Sequence, residues 1–402
     1  MEQNGWTAKA EHYLKTLCSV VPNRRTGSAG NRQATAFVAD YFRSLGYQVD
    51  DTVFDCLDYV PGEVGLCHDD EEFEVNLSPY SLGCDVTAKL CVVTSVNELR
   101  VADCEGKLLL LKGEICQEQL MPKNFVFYNP EPHKEIIGLL EGHKPAAIIT
   151  ATSRNSELVG ALYPFPLIVD GDFDIPNVYC TEIVGEAIAR LGGETLSLKV
   201  DSRRVPSTGC NVIARINPQS DKKIVITAHI DAYEDTPGAL DNASGVVVMM
   251  LLAELLREYH GELGVEIVAF NGEDHYSVAG QMDYLRRYGK ALPTVLLNIN
   301  IDDAGSIHGM SEYSFYACSP LLEQKATQVF GQFPGLKRGE PWYQGDHMVF
   351  VQNQVPAVAF TSENMAELMR TVTHTAADTP DQIDCPKLIE LAEALEELIN
   401  SY

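Results

Sequence analysis

Cations are scarce in this chain. Thirty Lys and Arg stand against 57 Asp and Glu in 402 residues, a formal net charge of −27. A field of that sign repels nucleic-acid phosphates and anionic lipid headgroups, so binding to DNA, RNA or an acidic membrane surface is not expected. Long apolar runs are missing too. The longest, 245–253, is broken at Glu254 and falls short of the roughly 20 residues that cross a bilayer. The opening Met1-Glu2-Gln3-Asn4-Gly5-Trp6 has neither the basic nor the apolar region of a secretory signal. No Cys-x-x-Cys pair occurs among the eleven cysteines, whose odd number and irregular spacing point to reduced, mostly buried thiols. A cytoplasmic location is the expectation. Internal repeats and low-complexity tracts are absent as well, which excludes solenoids and propellers.

What is present is the make-up of a globular protein, 45% hydrophobic and 22% charged, with length for two or three domains or one large domain carrying an insertion. Apolar residues at Ala34, Phe37, Val38, Tyr41, Phe42 and Leu45 mark an amphipathic helix over 33–46, stopped by Gly46. From 56 to 204 the pattern is of short β-rich runs (89–94, 107–111, 146–150, 195–200) between Gly, Pro and acidic turns, read as a separate inserted domain. The acidic run 69–72 within it reads as a solvated loop. From 211 onward strands and helices alternate. Strands are predicted at 211–216, 224–228, 265–271, 295–301 and 357–361, and helices at 243–257, 276–288, 320–330 and 388–399. The expected fold is α/β, a mostly parallel mixed sheet flanked by helices, formed by 1–55 and 205–402 with 56–204 inserted.

In such sheets ligands gather beyond the carboxyl ends of the strands. The polar residues found there are chemically uniform: His229 and Asp231, then Asp241-Asn242-Ala243-Ser244-Gly245, then Glu273-Asp274, then Asp302-Asp303, and finally His374 with Asp378. Capping of the next helix would account for Asp241 alone. It would not call for two histidines and a Gly-Glu-Asp run at successive strand ends. Imidazole and carboxylate without thiolate suit zinc, cobalt or manganese, and one carboxylate can bridge two ions. A metal pair lowers the pKa of a shared water and polarises a carbonyl, the combination that amide hydrolysis needs. It also needs a carboxylate that is not itself a ligand, and the adjacent Glu273 and Asp274 can divide those tasks.

In their order these segments resemble the M28 family of zinc-dependent aminopeptidases and carboxypeptidases, over 211–384 and in the N-terminal Arg25-Thr26-Gly27-Ser28-Ala29-Gly30-Asn31 before the first helix. The resemblance implies a zinc exopeptidase fold and two divalent ions, zinc foremost, with cobalt or manganese as substitutes. It implies that His229, Asp241 and Asp302 hold one ion and Asp241, Asp274 and His374 the other, with Asp241 as the bridge. Glu273 is then the general base, Asp231 orients the His229 imidazole, and Asp378 does the same for His374. A cis peptide is expected after Asp241. Gly345-Asp346-His347 resembles a segment at the edge of the family's substrate pocket, and the preceding Trp342 and Tyr343 are candidates for a pocket wall and a phenolic donor. The insertion resembles a protease-associated domain, which in the family acts as a partial lid or specificity element and carries no catalytic residue.

Two departures stand out. The family's acidic pair is mostly Glu-Glu, whereas here it is Glu273-Asp274. The family is usually apolar at the place of Asp303, so a ligand role for Asp303 in place of Asp302 competes. His275 is expected to point away from the site if the local backbone is helical, and His12, His68, His133, His143, His260 and His308 to be bystanders. The function expected is an aminopeptidase acting on small peptides. The alternatives are a carboxypeptidase, a glutaminyl-cyclase-like acyl transferase, and a non-catalytic binding protein on a peptidase fold. Oligomeric state is left open.

Overall fold

The computed structural model describes residues 3–20, 23–154 and 160–402. It divides into two compact units, Met1–Cys56 with Thr208–Tyr402, and Leu57–Ser207. The first is built on an eight-stranded mixed sheet. In chain order its strands are β1 (Gln48–Asp50), β2 (Val212–Ile216), β3 (Lys223–His229), β4 (Gly264–Phe270), β5 (Val295–Ile301), β6 (Ser311–Tyr316), β7 (Leu336–Arg338) and β8 (Ala357–Ser362). Their spatial order is β1-β2-β4-β3-β5-β8-β6-β7. The four central strands are parallel, with Ile226 beside both Ile267 and Ile299, and Asn300 beside Ala359. Antiparallel pairs, β1 with β2 and β2 with β4 on one side and β6 with β8 on the other, flank them.

The central strands are buried along nearly their whole length, as expected where helices cover both faces of a parallel sheet. Helix Ser244–Leu255 is the most apolar of these helices, with every residue from Ser244 to Ala253 buried. The wider stretch Ala239–Glu258 is long and apolar enough to cross a membrane by length and composition, yet 89% of its most apolar 18-residue window is buried. A helix that is apolar all round belongs to a core, and this one packs against β3 and the closing helix Cys385–Asn400. The amphipathic helix expected over 33–46 is Ala29–Ser44, its first turn held by Ser28 Oγ, which accepts from the Asn31 amide at 3.0 Å.

The helix expected to begin at 276 begins instead at Ala279. Residues 273–277 form a turn before it, and that difference decides where His275 points. Elements that periodicity did not reveal are the N-terminal helix Gln3–Lys15, the strands β1, β6 and β7, and the short helices His347–Val351 and Met365–Thr371.

The inserted unit has its own eight-stranded sheet and its own cores. The runs expected at 89–94, 107–111, 146–150 and 195–200 are strands Cys84–Val93, Leu108–Lys112, Ala147–Thr152 and Thr195–Val200. Leu108–Lys112 lies between the first and third of these, parallel to both.

Candidate metal centre

The candidate residues sit at the carboxyl ends of the central strands. His229 ends β3, Asp302 and Asp303 follow β5, Glu273 and Asp274 follow β4, and His374 lies beyond β8. Asp241 reaches them from the turn ahead of the apolar core helix. Its two carboxylate oxygens face different imidazoles, Oδ1 at 3.1 Å from His229 Nε2 and Oδ2 at 3.0 Å from His374 Nε2. Each imidazole then meets a second carboxylate: His229 Nε2 lies 3.2 Å from Asp302 Oδ1, and His374 Nε2 lies 3.0 Å from Asp274 Oδ1.

The Asp-Asn-Ala-Ser-Gly segment folds as it does because each residue has a separate task. The Asn242 side chain donates to the Ile301 carbonyl at 2.8 Å and accepts from the Gly245 amide at 3.0 Å, tying the start of the core helix to the end of β5. Ser244 Oγ donates to the Leu240 carbonyl. A Cβ at Gly245 would lie 2.6 Å from the Ile301 carbonyl oxygen, so only glycine permits this approach. Asn242 rather than Asp241 thus serves the helix, and the Asp241 carboxylate is left for the site. The Asp241–Asn242 peptide is cis, as expected.

Asp231 stands behind the His229 ring as expected but has a further task, and Asp378 acts differently from expectation. The nearest partner of His229 Nδ1 is the Asp231 backbone carbonyl at 3.2 Å, while the Asp231 carboxylate stands 3.6 Å away, beyond hydrogen-bond range. That carboxylate also accepts from the backbone amides of Glu273 and Asp274, at 3.3 and 3.2 Å, and pairs with His275 Nδ1 at 2.8 Å. It therefore holds the acidic turn in place. Because 273–277 is a turn and not a helix, His275 faces into this network, against expectation. Asp378 accepts from the Leu240 and Asp241 amides at 2.6 and 3.1 Å, and so steadies the backbone that presents Asp241 rather than the His374 ring. The His374 ring stacks on Tyr233, with centroids 4.8 Å apart.

Sequence reasoning also missed Arg24. Wholly buried, it donates to the carbonyls of Leu17, Ile230, Pro237 and Gly238 and so clamps both ends of the loop between His229 and Asp241. No local pattern marks such a residue, since three of its four partners lie more than 200 positions away. The Asp346 carboxylate is buried and accepts from Gln281 at 2.7 Å, His347 meets the Trp342 carbonyl at 3.0 Å, and Tyr343 is exposed.

The electrostatics call for positive charge at this point. Burial works to lower the affinity of His229 and His374 for a proton, yet the surrounding carboxylates hold both well above the usual imidazole range. Burial pushes Glu273 well above the usual carboxylate range. His229 opposes that shift, while Asp302, Asp274 and Asp346 add to it. Ligand-type atoms of His229, Asp241 and Asp274 lie within 4.8 Å of one another, as do those of Asp241, Asp302 and Asp303. Asp274 Oδ2 and Asp303 Oδ1 are buried without a hydrogen-bond partner. Buried, crowded carboxylates with orphaned oxygens and two imidazoles fit divalent cations.

The family model described as peptidase family M28 matches residues 211–399. Aminopeptidase YwaD of Bacillus subtilis (strain 168) is 24% identical over 319 residues, which cover 74% of this chain and 62% of that protein. An uncharacterised Escherichia coli (strain K12) protein, YfbL, is 26% identical over 244 residues, 50% of this chain and 74% of its own. The chain thus spans less than two thirds of YwaD. Among solved structures, an aminopeptidase from Aneurinibacillus sp. strain AM-1 superposes with a TM-score of 0.75 at 22% identity, covering 98% of this chain and 93% of its own. A zinc aminopeptidase from Bacillus subtilis gives 0.75 at 19% identity, covering 98% and 95%. These two likenesses establish a shared fold.

Proposed function

From this site and the match of residues 211–399 to the peptidase family M28 model, we propose that this protein is a two-metal exopeptidase that removes residues from the amino end of small peptides. One observation carries the reading: Asp241 offers one oxygen to each of two imidazoles, and each imidazole has a further carboxylate of its own. In this reading His229, Asp241 and Asp302 hold one ion and Asp241, Asp274 and His374 hold the other, zinc in both by the nature of the relatives. When bound, such a pair makes hydroxide available near neutral pH and polarises the scissile carbonyl.

The chain's own residues do the rest. Among the described contacts no imidazole donates to Glu273, which leaves its carboxyl to accept a proton from the attacking water and return it to the departing amine. Burial and the neighbouring carboxylates raise its proton affinity toward the range that such shuttling requires. Asp231 keeps Glu273 and Asp274 in register through their amides. Asp346, the carboxylate facing Glu273 that is not assigned to an ion, favours a substrate that presents a free amine over one that presents a carboxylate. Units 57–207 and 1–56 with 208–402 are read as a protease-associated-like insertion and the peptidase domain. The eleven free cysteines support a reducing compartment such as the cytoplasm.

Metal analysis of the purified chain, followed by turnover of a panel of aminoacyl-anilides, N-blocked peptides and N-terminal glutaminyl peptides, tests the proposal. Two metals per chain and release from unblocked anilides are expected. Release only from N-blocked peptides would indicate a carboxypeptidase, and cyclisation of the glutaminyl peptide an acyl transferase. A chain that binds no metal and turns over none of them after zinc or cobalt loading would be a binding protein instead.

A further inference from the structure

Asp303 takes no part in the ligand assignment above, yet its environment is that of a ligand. It follows Asp302 directly, and along a strand two successive side chains point to opposite faces. Here β5 ends at Ile301, and Asp303 adopts a left-handed backbone conformation, φ 54°, which Asp tolerates better than most residues. The alternation is thereby broken. The Ser362 hydroxyl holds the turn by donating to the Asp303 carbonyl at 2.6 Å. Both adjacent carboxylates then lie on one side, with ligand-type atoms of Asp241, Asp302 and Asp303 all within 4.8 Å of one another.

Asp303 is 93% buried by side of its neighbours, with only 7% of its surface exposed, and its Oδ1 has no hydrogen-bond partner. A buried carboxylate oxygen without a partner is costly unless a cation or a proton meets it. No Lys or Arg pairs with it among the described contacts. Resting on the two-metal reading, we propose that Asp303 is an additional ligand of the ion held by His229, Asp241 and Asp302. That site then offers one imidazole nitrogen and three carboxylates, whereas the site of His374 offers one imidazole and two.

The two positions consequently differ in chemistry. Carboxylate-rich sites suit harder, higher-coordinate cations such as Mn²⁺, while zinc is content with four ligands and with nitrogen among them. The protein is an asymmetric pair: an oxygen-rich site that accepts Mn²⁺ in competition with Zn²⁺, next to one that keeps Zn²⁺.

Because Zn²⁺ outcompetes Mn²⁺ at most nitrogen and oxygen sites, the test equilibrates the full zinc-loaded chain with a large excess of Mn²⁺ and counts each metal after desalting, alongside the Mn²⁺ electron paramagnetic resonance signal. The wild type is expected to exchange one of its two Zn²⁺ for Mn²⁺ and keep the other. Asp303→Asn should retain two metals but weaken Mn²⁺ binding by about 10–100-fold, a loss at least as large as removing a group behind a ligand. Asp303→Glu, which keeps the carboxylate, should restore part of it. Equal Mn²⁺ affinity in wild type and Asp303→Asn overturns the proposal and leaves the two-metal reading standing, and so does a changed preference for basic over apolar substrate residues with metal binding untouched. A wild type that binds no divalent metal overturns both. Should Asp303→Asn fail to fold, the wild-type competition still decides: two Zn²⁺ and no Mn²⁺ retained overturns the asymmetry.

Discussion

Two acidic clusters in this molecule have similar composition and opposite surroundings. Asp69 and Asp70 form the tip of a hairpin in the inserted unit, and Glu71 and Glu72, expected as part of the same loop, open its second strand, Glu71–Phe73, paired with Val64–His68; all four are exposed. Asp231, Asp241, Asp302 and Asp303 are at least nine-tenths buried at the ends of parallel strands. Water solvates the first group, so its like charges cost little. The second group has lost that water, and its charges are met by two imidazoles and by backbone amides that Asp231 and Asp378 draw in. The contiguous cluster is thus the inert one, and the chemically potent one is assembled from residues scattered over more than 70 positions.

That contrast can be broken most directly at Glu273. Glu273→Gln should lower kcat by about 10²–10⁴-fold, the usual worth of a positioned general base, while the metal content per chain stays unchanged. Retained turnover would mean that the base lies elsewhere. A smaller effect, in stability and not in chemistry, is expected at Arg24. Arg24→Gln strands four backbone carbonyls and should destabilise the chain by about 3 kcal/mol in urea unfolding, as removal of buried charged hydrogen bonds does. A loss under about 1 kcal/mol would show that the loop between His229 and Asp241 holds its shape without the clamp. The smallest effect belongs to the exposed run. Neutralising Asp69, Asp70, Glu71 and Glu72 together to their amides should shift stability by no more than about 0.5 kcal/mol per residue and leave kcat/KM as it was. A large loss at this surface would erase the distinction between the two clusters.

Much of this was legible beforehand because the strand periodicity is strong. Runs such as Val295–Ile301 and Thr195–Val200 coincide with the strands found, and the polar residues that follow each central strand could be read off as one group. Legibility failed where the deciding partner is distant or the backbone leaves regular geometry. Residues 273–277 carry a helix-compatible pattern, yet Gly272, at φ +101°, turns the chain where a Cβ would lie 2.9 Å from the Ala279 amide. The helix starts late for that reason, and His275 turns inward. Asp378 looked like a partner for the nearby His374, but the amides of Leu240 and Asp241 reach it first.

By itself the sequence determined the residue types and their order along the chain: which strands are buried on both faces, which polar groups follow them, and that these are imidazoles and carboxylates with no thiolate. Only the tertiary structure decided which of them meet. Asp241 spans two imidazoles because a turn ahead of the core helix carries it across the strand ends. Asp231 reaches the acidic turn as well as the neighbourhood of the His229 ring because β3 and β4 lie side by side in the sheet, which brings together residues more than 40 positions apart. Asp303 joins Asp302 on one side because a single left-handed residue cancels the alternation that a strand imposes. Contacts of this kind depend on chain reversals and strand order, which residue spacing does not encode.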